Sequence, residues 1–133
     1  GYVTPAQVLE VENAGHEIGA HTRTHRDLTT LSTSTAASEI FGSRNDLLGI
    51  GVKSVTTFAY PFGSYNNTIK QFVANAGMKG SRSSNGGFNV KGTTDYYALA
   101  RKNMGPESSL AQVKLWIDEA MRDRKWLVRV FPL

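Results

Sequence analysis

Residues 16–28 read His16-Glu17-Ile18-Gly19-Ala20-His21-Thr22-Arg23-Thr24-His25-Arg26-Asp27-Leu28, and they hold all 3 histidines of the 133-residue chain. Glu17 to Ala20 is a short apolar strand candidate, and the pair His21 and His25 follows it at once. Imidazoles four residues apart share one face of a helical turn, a spacing that suits zinc or a similar divalent metal. Imidazole offers a neutral nitrogen donor near pH 7. A catalytic zinc normally has three protein ligands, so a third, a carboxylate, has to come from another strand. Two solvated loop histidines would show the same spacing; the place directly after a strand, with the hydroxyls of Thr22 and Thr24 between, favours the metal. His16 has no such partner and reads as structural. Asp27 reads as a cap or turn residue before Leu28 rather than as a partner of the histidines.

Outward from this segment the elements alternate. Upstream, Thr4 caps a helix that starts at Pro5 and ends before Gly15, with Val8, Leu9 and Val11 inward. Downstream, Ser32 caps a helix over Thr33–Leu48, with Ala36, Ile40, Leu47 and Leu48 at helical spacing. Val55–Tyr60 is β-branched and aromatic and reads as a strand, followed by a loop over Pro61–Tyr65. Asn66 or Asn67 caps a third helix through Ala76, with Ile69, Phe72, Val73 and Ala76 inward; the cap position explains Asn66-Asn67-Thr68 more simply than a glycosylation sequon. A weak strand is expected near Met78–Ser81, a long loop over Ser83–Thr94 and a strand within Tyr97–Met104. Ser109 caps a last helix over Leu110–Arg122, with Leu110, Val113, Trp116, Ile117 and Ala120 inward, before a final strand Trp126–Phe131. Tyr65, Tyr96 and Tyr97 read as half-buried loop aromatics, and Trp116 as core.

Strands alternating with crossover helices predict an α/β fold with a parallel sheet and helices packed outside. In such folds the chemistry gathers in loops after the C-terminal ends of strands. The histidine loop and the Pro61–Tyr65 loop both follow strands, so they are expected at one end of the sheet as one site.

"GHEIGAHTRTHRDLTTLS" followed some thirty residues on by "TFAYPFGSYN" resembles the polysaccharide deacetylases, carbohydrate esterase family 4 or the NodB homology domain. The tail, "DYYALARKNM" and then "SSLAQVKLWIDEAMRDRKWLVRVF", is similar to the C-terminal half of that domain. The resemblance runs over residues 1–133 and implies a distorted parallel-strand β/α barrel, incomplete in this chain. It implies a metal-dependent hydrolase that removes N-acetyl groups from a GlcNAc-containing polymer of the chitin or peptidoglycan type. An O-acetyl esterase acting on acetylxylan, or a non-catalytic fragment that binds glycan, are the alternatives.

Residue by residue, the resemblance makes His21 and His25 the imidazole ligands of zinc or another divalent metal, with Thr22 steadying their loop. Tyr60, Pro61 and Phe62 would line the substrate cleft, and the backbone N–H of Phe62 would serve the oxyanion hole. Ala59 stands where the family often has an arginine that orients the catalytic aspartate; Arg101, in "YALARKNM", would take that part. The family's Thr-Phe-Asp-Asp motif, source of the base and the third ligand, has no counterpart here, and Pro132 stands where a catalytic histidine is expected. A fragment of a longer enzyme is the expectation.

Composition narrows the other classes. With 40% hydrophobic residues the chain can bury a core, and 0 cysteines exclude disulfides and thiolate metal sites. The net charge of +4 comes from scattered basic residues, which argues against nucleic acid as a partner. No apolar run spans a bilayer and no signal peptide is visible. The resemblance implies an extracellular or cell-envelope place and an acetylated polysaccharide as partner. Open sheet edges of an incomplete barrel predict self-association.

Overall fold

A computed structural model describes residues 3–106 and 108–131. Four of its strands form one parallel sheet: β1 (Thr57–Ala59), β2 (Gly80–Gly86), β4 (Leu99–Asn103) and β6 (Arg129–Val130), in the order β1-β2-β4-β6. Ala20 extends the sheet beyond β1 through a parallel bridge to Phe58. The result is a curled half-barrel, the incomplete deacetylase-type α/β fold that the sequence predicts. A small antiparallel ribbon joins β3 (Asn89–Val90) to β5 (Lys125–Trp126).

The helices begin at the expected caps. The Thr4 hydroxyl accepts the Gln7 N–H at 3.3 Å while Gln7 Oε1 takes the Thr4 N–H at 2.8 Å, a reciprocal cap for α1 (Pro5–Asn13). Ser32 caps α2 (Thr33–Gly49), Asn66 caps α3 (Asn67–Asn75) and Ser109 caps α4 (Leu110–Arg122). Each such cap contributes about 1 kcal/mol by satisfying an amide that the helix leaves open. The core lies between α2, α3 and one face of the sheet, where Leu28, Ile40, Val55, Phe58, Tyr60 and Val73 are almost wholly buried.

Several elements differ from expectation. Glu17–Ala20 narrows to the one bridge at Ala20, because β1 is its only neighbour among the described residues. Val55–Tyr60 pairs only over Thr57–Ala59. The Ser/Asn/Gly stretch read as a loop is in part a strand: β2 runs to Gly86 because β1 and β4 flank it and supply ladder partners that local propensity does not anticipate. The final strand divides into β5 and β6, which join different sheets. Val11 is exposed, since Val8, Leu9 and Val11 span about 160° of helix circumference, too wide for the contact that α1 makes. On α4, Val113 and Ala120 are buried and Trp116 is half-buried, but Leu110 and Ile117 face solvent: only one narrow stripe of this helix meets the sheet. Pro132 lies outside the described residues, and with it the expectation about that position.

Candidate active site

The site is built at the C-terminal ends of the Ala20 bridge segment and β1. The His21 Nδ1 lies 2.7 Å from the carbonyl oxygen of Ala59. A carbonyl only accepts, so Nδ1 carries the proton and the Nε2 lone pair is left free. The His25 ring meets the His21 ring edge to face, with centroids 4.8 Å apart. Partial burial lowers the His21 pKa below 6.5; the Ala59 carbonyl opposes this, and the charges of His25 and Arg82 add to it.

The spacing of four works differently here than on a helix. Thr22 and His25 adopt left-handed backbone, with φ of +65° and +56°, and the His25 N–H donates to the Thr22 hydroxyl at 3.1 Å. The two rings meet across a strained turn, and Thr22 closes that turn. Such conformations persist only where the surroundings hold them. The holder is α2. The buried Glu39 carboxylate accepts the Arg23 N–H at 2.8 Å, the Thr24 N–H at 2.9 Å and the Thr24 hydroxyl at 2.7 Å. Burial alone would raise the Glu39 pKa, but these bonds and the charge of Arg26 together lower it. The Arg23 guanidinium lies directly over Gly42, where a Cβ would push it aside, and grips Asp46 with two bonds of 2.6 Å. Glu39 escaped the sequence analysis; its signal is a carboxylate on the Ala36–Ile40 stripe of a helix. Asp27 caps a 3-10 turn over Leu28–Thr30 by accepting the Thr29 N–H at 2.9 Å.

The second loop closes the site from β1. Pro61–Gly63 forms a 3-10 turn with Phe62 at φ +58°, and the 66% exposed Phe62 ring packs edge-on against His25 at 4.9 Å. The Phe62 N–H donates to no group among the described residues. Gly63, at φ +74°, leaves no room for a Cβ against Ser84. Tyr60 is buried: its hydroxyl donates to the Tyr97 carbonyl at 2.9 Å and accepts from Ser81 at 2.7 Å, and burial pushes its pKa up to about 12. Pro61 is buried beside it. These two residues are therefore the floor under the loop, whereas Phe62 is open to a ligand. Tyr65 stacks on Tyr60 at 5.2 Å and is half-buried, as is Tyr97; Tyr96 is exposed. His16 is exposed and apart from the pair.

A cavity of about 450 Å³ opens on the concave face of the sheet, lined by Glu17, His21, Thr57, Arg82, Leu99 and Trp126 among others. Arg101 is half-buried on β4; its guanidinium donates to Asn103 Oδ1 at 2.7 Å, and its Nε is sealed from solvent without an acceptor. Among the described residues no group of three His, Cys, Asp or Glu side chains is placed to hold a metal. The donor chemistry of His21 and His25 fits two positions of a zinc site, and the described residues bring no third to them.

A parallel half-barrel with two loop histidines at the C-terminal strand ends places the chain in the α/β class with a deacetylase-type fold. Residues 2–81 match the polysaccharide deacetylase family model, and the chain belongs to that family. A Streptococcus pyogenes deacetylase solved in complex with acetate is similar, at 25% identity and a TM-score of 0.81 over 86% of this chain and 50% of that one. A family 4 carbohydrate esterase from Streptomyces lividans, also in complex with acetate, matches at 26% identity and a TM-score of 0.55, over 65% of this chain and 42% of that one. A polysaccharide deacetylase from Bacillus cereus shares the fold, at 22% identity and a TM-score of 0.78, over 88% of this chain and 37% of that one. The chain thus spans half or less of the length of these relatives. No curated protein matches it.

Proposed function

We propose that this chain carries part of the active site of a metal-dependent hydrolase that removes N-acetyl groups from a GlcNAc-containing polysaccharide of the chitin or peptidoglycan type. The observation that carries the reading is the free Nε2 lone pair on His21, enforced by the Ala59 carbonyl, beside the ring of His25. His21 and His25 would hold zinc or another divalent ion, with Thr22 closing their turn. When bound, such an ion supplies carbonyl polarisation and a water of lowered pKa. The Phe62 N–H, without an acceptor of its own, is available to a developing oxyanion. The exposed Phe62 ring offers an apolar face to a sugar, over the floor made by Tyr60 and Pro61. Arg101 would orient the catalytic base. The base, the acid and the third ligand are groups that the described residues do not bring to the histidine pair.

Residues 1–133 make up part of one deacetylase domain on this reading, acting outside the cell or in its envelope, where such polymers lie. No helix among the described residues is long and apolar enough to cross a membrane. The acetate held by two of the structural relatives is the product that deacetylation would release, and supports the reading. An O-acetyl esterase acting on acetylxylan is the second candidate, and the relative named as a carbohydrate esterase supports ester cleavage without naming a polymer. The edge of β6 and the segment beside Ala20 are where self-association would occur.

Elemental analysis of zinc in the purified chain, beside a His21→Ala/His25→Ala double variant, tests the ligand assignment. Stoichiometric zinc lost in the variant supports it, and zinc retained equally by both sinks it. Acetate release from chitin and peptidoglycan fragments against acetylxylan separates the two substrates.

A further inference from the structure

His21 and His25 are anchored to different parts of the fold. His21 belongs to the sheet. The Ala20 N–H before it donates to the Thr57 carbonyl at 2.9 Å, and the Ala20 carbonyl accepts the Ala59 N–H at 2.9 Å. With Nδ1 against the Ala59 carbonyl, the sheet fixes both the backbone and the ring of His21. His25 stands beyond the turn, and its anchor is α2.

α2 directs a polar stripe at this turn. Glu39, Gly42, Ser43 and Asp46 recur at helical spacing along one side of it. At one end of the stripe, Glu39 Oε2 accepts two consecutive amides, those of Arg23 and Thr24, while Oε1 accepts the Thr24 hydroxyl. Two neighbouring N–H groups that converge on one oxygen fix the orientation of both peptide planes. The next amide, of His25, donates to Thr22 Oγ1. Three successive backbone donors are thus satisfied, and the chain enters His25 in one direction. Downstream, the buried Leu28 is the next anchor. At the other end of the stripe, the pair of Arg23 and Asp46 is open to water, with side chains 44% and 56% exposed. Such a pair contributes little. The His25 ring placed in this way lies 4.8 Å from His21 and 4.9 Å from Phe62, so it joins the two loops of the site.

We propose that Glu39 is a positioning residue for His25: through the Arg23 and Thr24 amides, the reach of its side chain sets the His25 ring between His21 and Phe62. The pair of Arg23 and Asp46 has no part in this. All three donors to Glu39 are neutral, so a glutamine of the same length can accept both amides with its oxygen and donate to the Thr24 hydroxyl with its nitrogen. An aspartate keeps the charge but falls one methylene short. The inference rests on the deacetylase reading only for the metal that the pair would hold.

The test is made first in the zinc-free chain at pH 8, from nuclear Overhauser contacts of the His25 ring protons with Phe62 and His21. Glu39→Asp is expected to lose both contacts and to keep the His21 Nδ1 proton, which the sheet holds. Glu39→Gln should retain the contacts, and so should Asp46→Ala. A role in stability alone would lower the melting temperature of Glu39→Asp without moving these contacts in the folded chain. Contacts unchanged in Glu39→Asp, or lost as fully in Asp46→Ala, overturn the proposal. Should Glu39→Asp fail to fold, Thr24→Val takes its place, since it deletes one of the three bonds at an exposed residue; weakened contacts support the proposal and unchanged ones overturn it. Zinc titration then reads the consequence: the dissociation constant should rise about tenfold or more in Glu39→Asp and stay near the wild-type value in Glu39→Gln. Measurable zinc affinity that is equal in all three also overturns it. A chain that takes up no zinc while the ring contacts respond as stated fails the metal reading and leaves the role of Glu39 standing.

Discussion

The Nδ1 of His21 lies 2.7 Å from the carbonyl oxygen of Ala59, across the gap between two parallel chain segments. The contact comes from the backbone, so no side-chain substitution at position 59 deletes the acceptor. Nitrogen-15 spectra at pH 8 are expected to show His21 protonated at Nδ1 and unprotonated at Nε2. Added zinc should shift Nε2 and leave Nδ1 in place. A His21 tautomer with its proton on Nε2 would remove the basis for calling it a ligand.

Glu39 holds the histidine loop by three hydrogen bonds to one carboxylate. Glu39→Ala leaves two amides without their acceptor and is expected to destabilise the chain by about 2–3 kcal/mol, read from urea denaturation. Its pKa in the folded chain is depressed below 4.5. The unfolded chain therefore binds the proton more readily, and this stabilisation is complete above that value and disappears as pH falls through the folded pKa. Glu39→Gln should flatten the acid side of the stability profile. An unchanged profile would show that the carboxylate charge does not hold the loop.

Phe62 and Gly63 both carry positive φ, but they should respond in opposite ways to substitution. Phe62→Gly relieves a left-handed residue worth about 1 kcal/mol and loses little packing from an exposed ring, so stability should hold or rise slightly. Binding of acetylated oligosaccharide should weaken. Gly63→Ala adds a Cβ within 2.6 Å of the Ser84 nitrogen on β2 and should cost about 1–3 kcal/mol, seen as a lower melting temperature. A melting temperature unaffected by Gly63→Ala would contradict the tight approach of this turn to β2.

Tyr60 is a structural residue in this arrangement. Its pKa is pushed up to about 12 by burial, so spectrophotometric titration should show Tyr60 ionising well above the ordinary phenol value of about 10. Its pKa in the folded chain is raised, so its share of stability is present below pH 10 and is lost as pH rises toward 12. Tyr60→Phe, which leaves Ser81 one partner fewer, should cost about 1–2 kcal/mol. Titration of Tyr60 near 10 would show that it is open to solvent.

Some of this was legible in the sequence. Thr4, Ser32, Asn66 and Ser109 start the four helices at the expected positions, because a cap acts on an amide within three residues of itself. The parallel α/β architecture followed from the alternation of strand and helix patterns. The meeting of His21 and His25 was also foreseeable, though their turn is left-handed instead of helical.

What remained hidden depends on distant partners. The polar stretch through Gly86 becomes a strand only because β1 and β4 lie on either side of it. Leu110 and Ile117 look like core residues on their own helix, and only its docking shows that the sheet reaches a narrower stripe. Arg82 has no local signature at all. Its place facing His21 is set by the pairing of Ala59 with Arg82, a register that arises when strands more than twenty residues apart in sequence pack together. Local chemistry thus determined the elements and the histidine pair. Long-range pairing decided which side chains share the cleft, because register is set by packing across strands and not by neighbours along the chain.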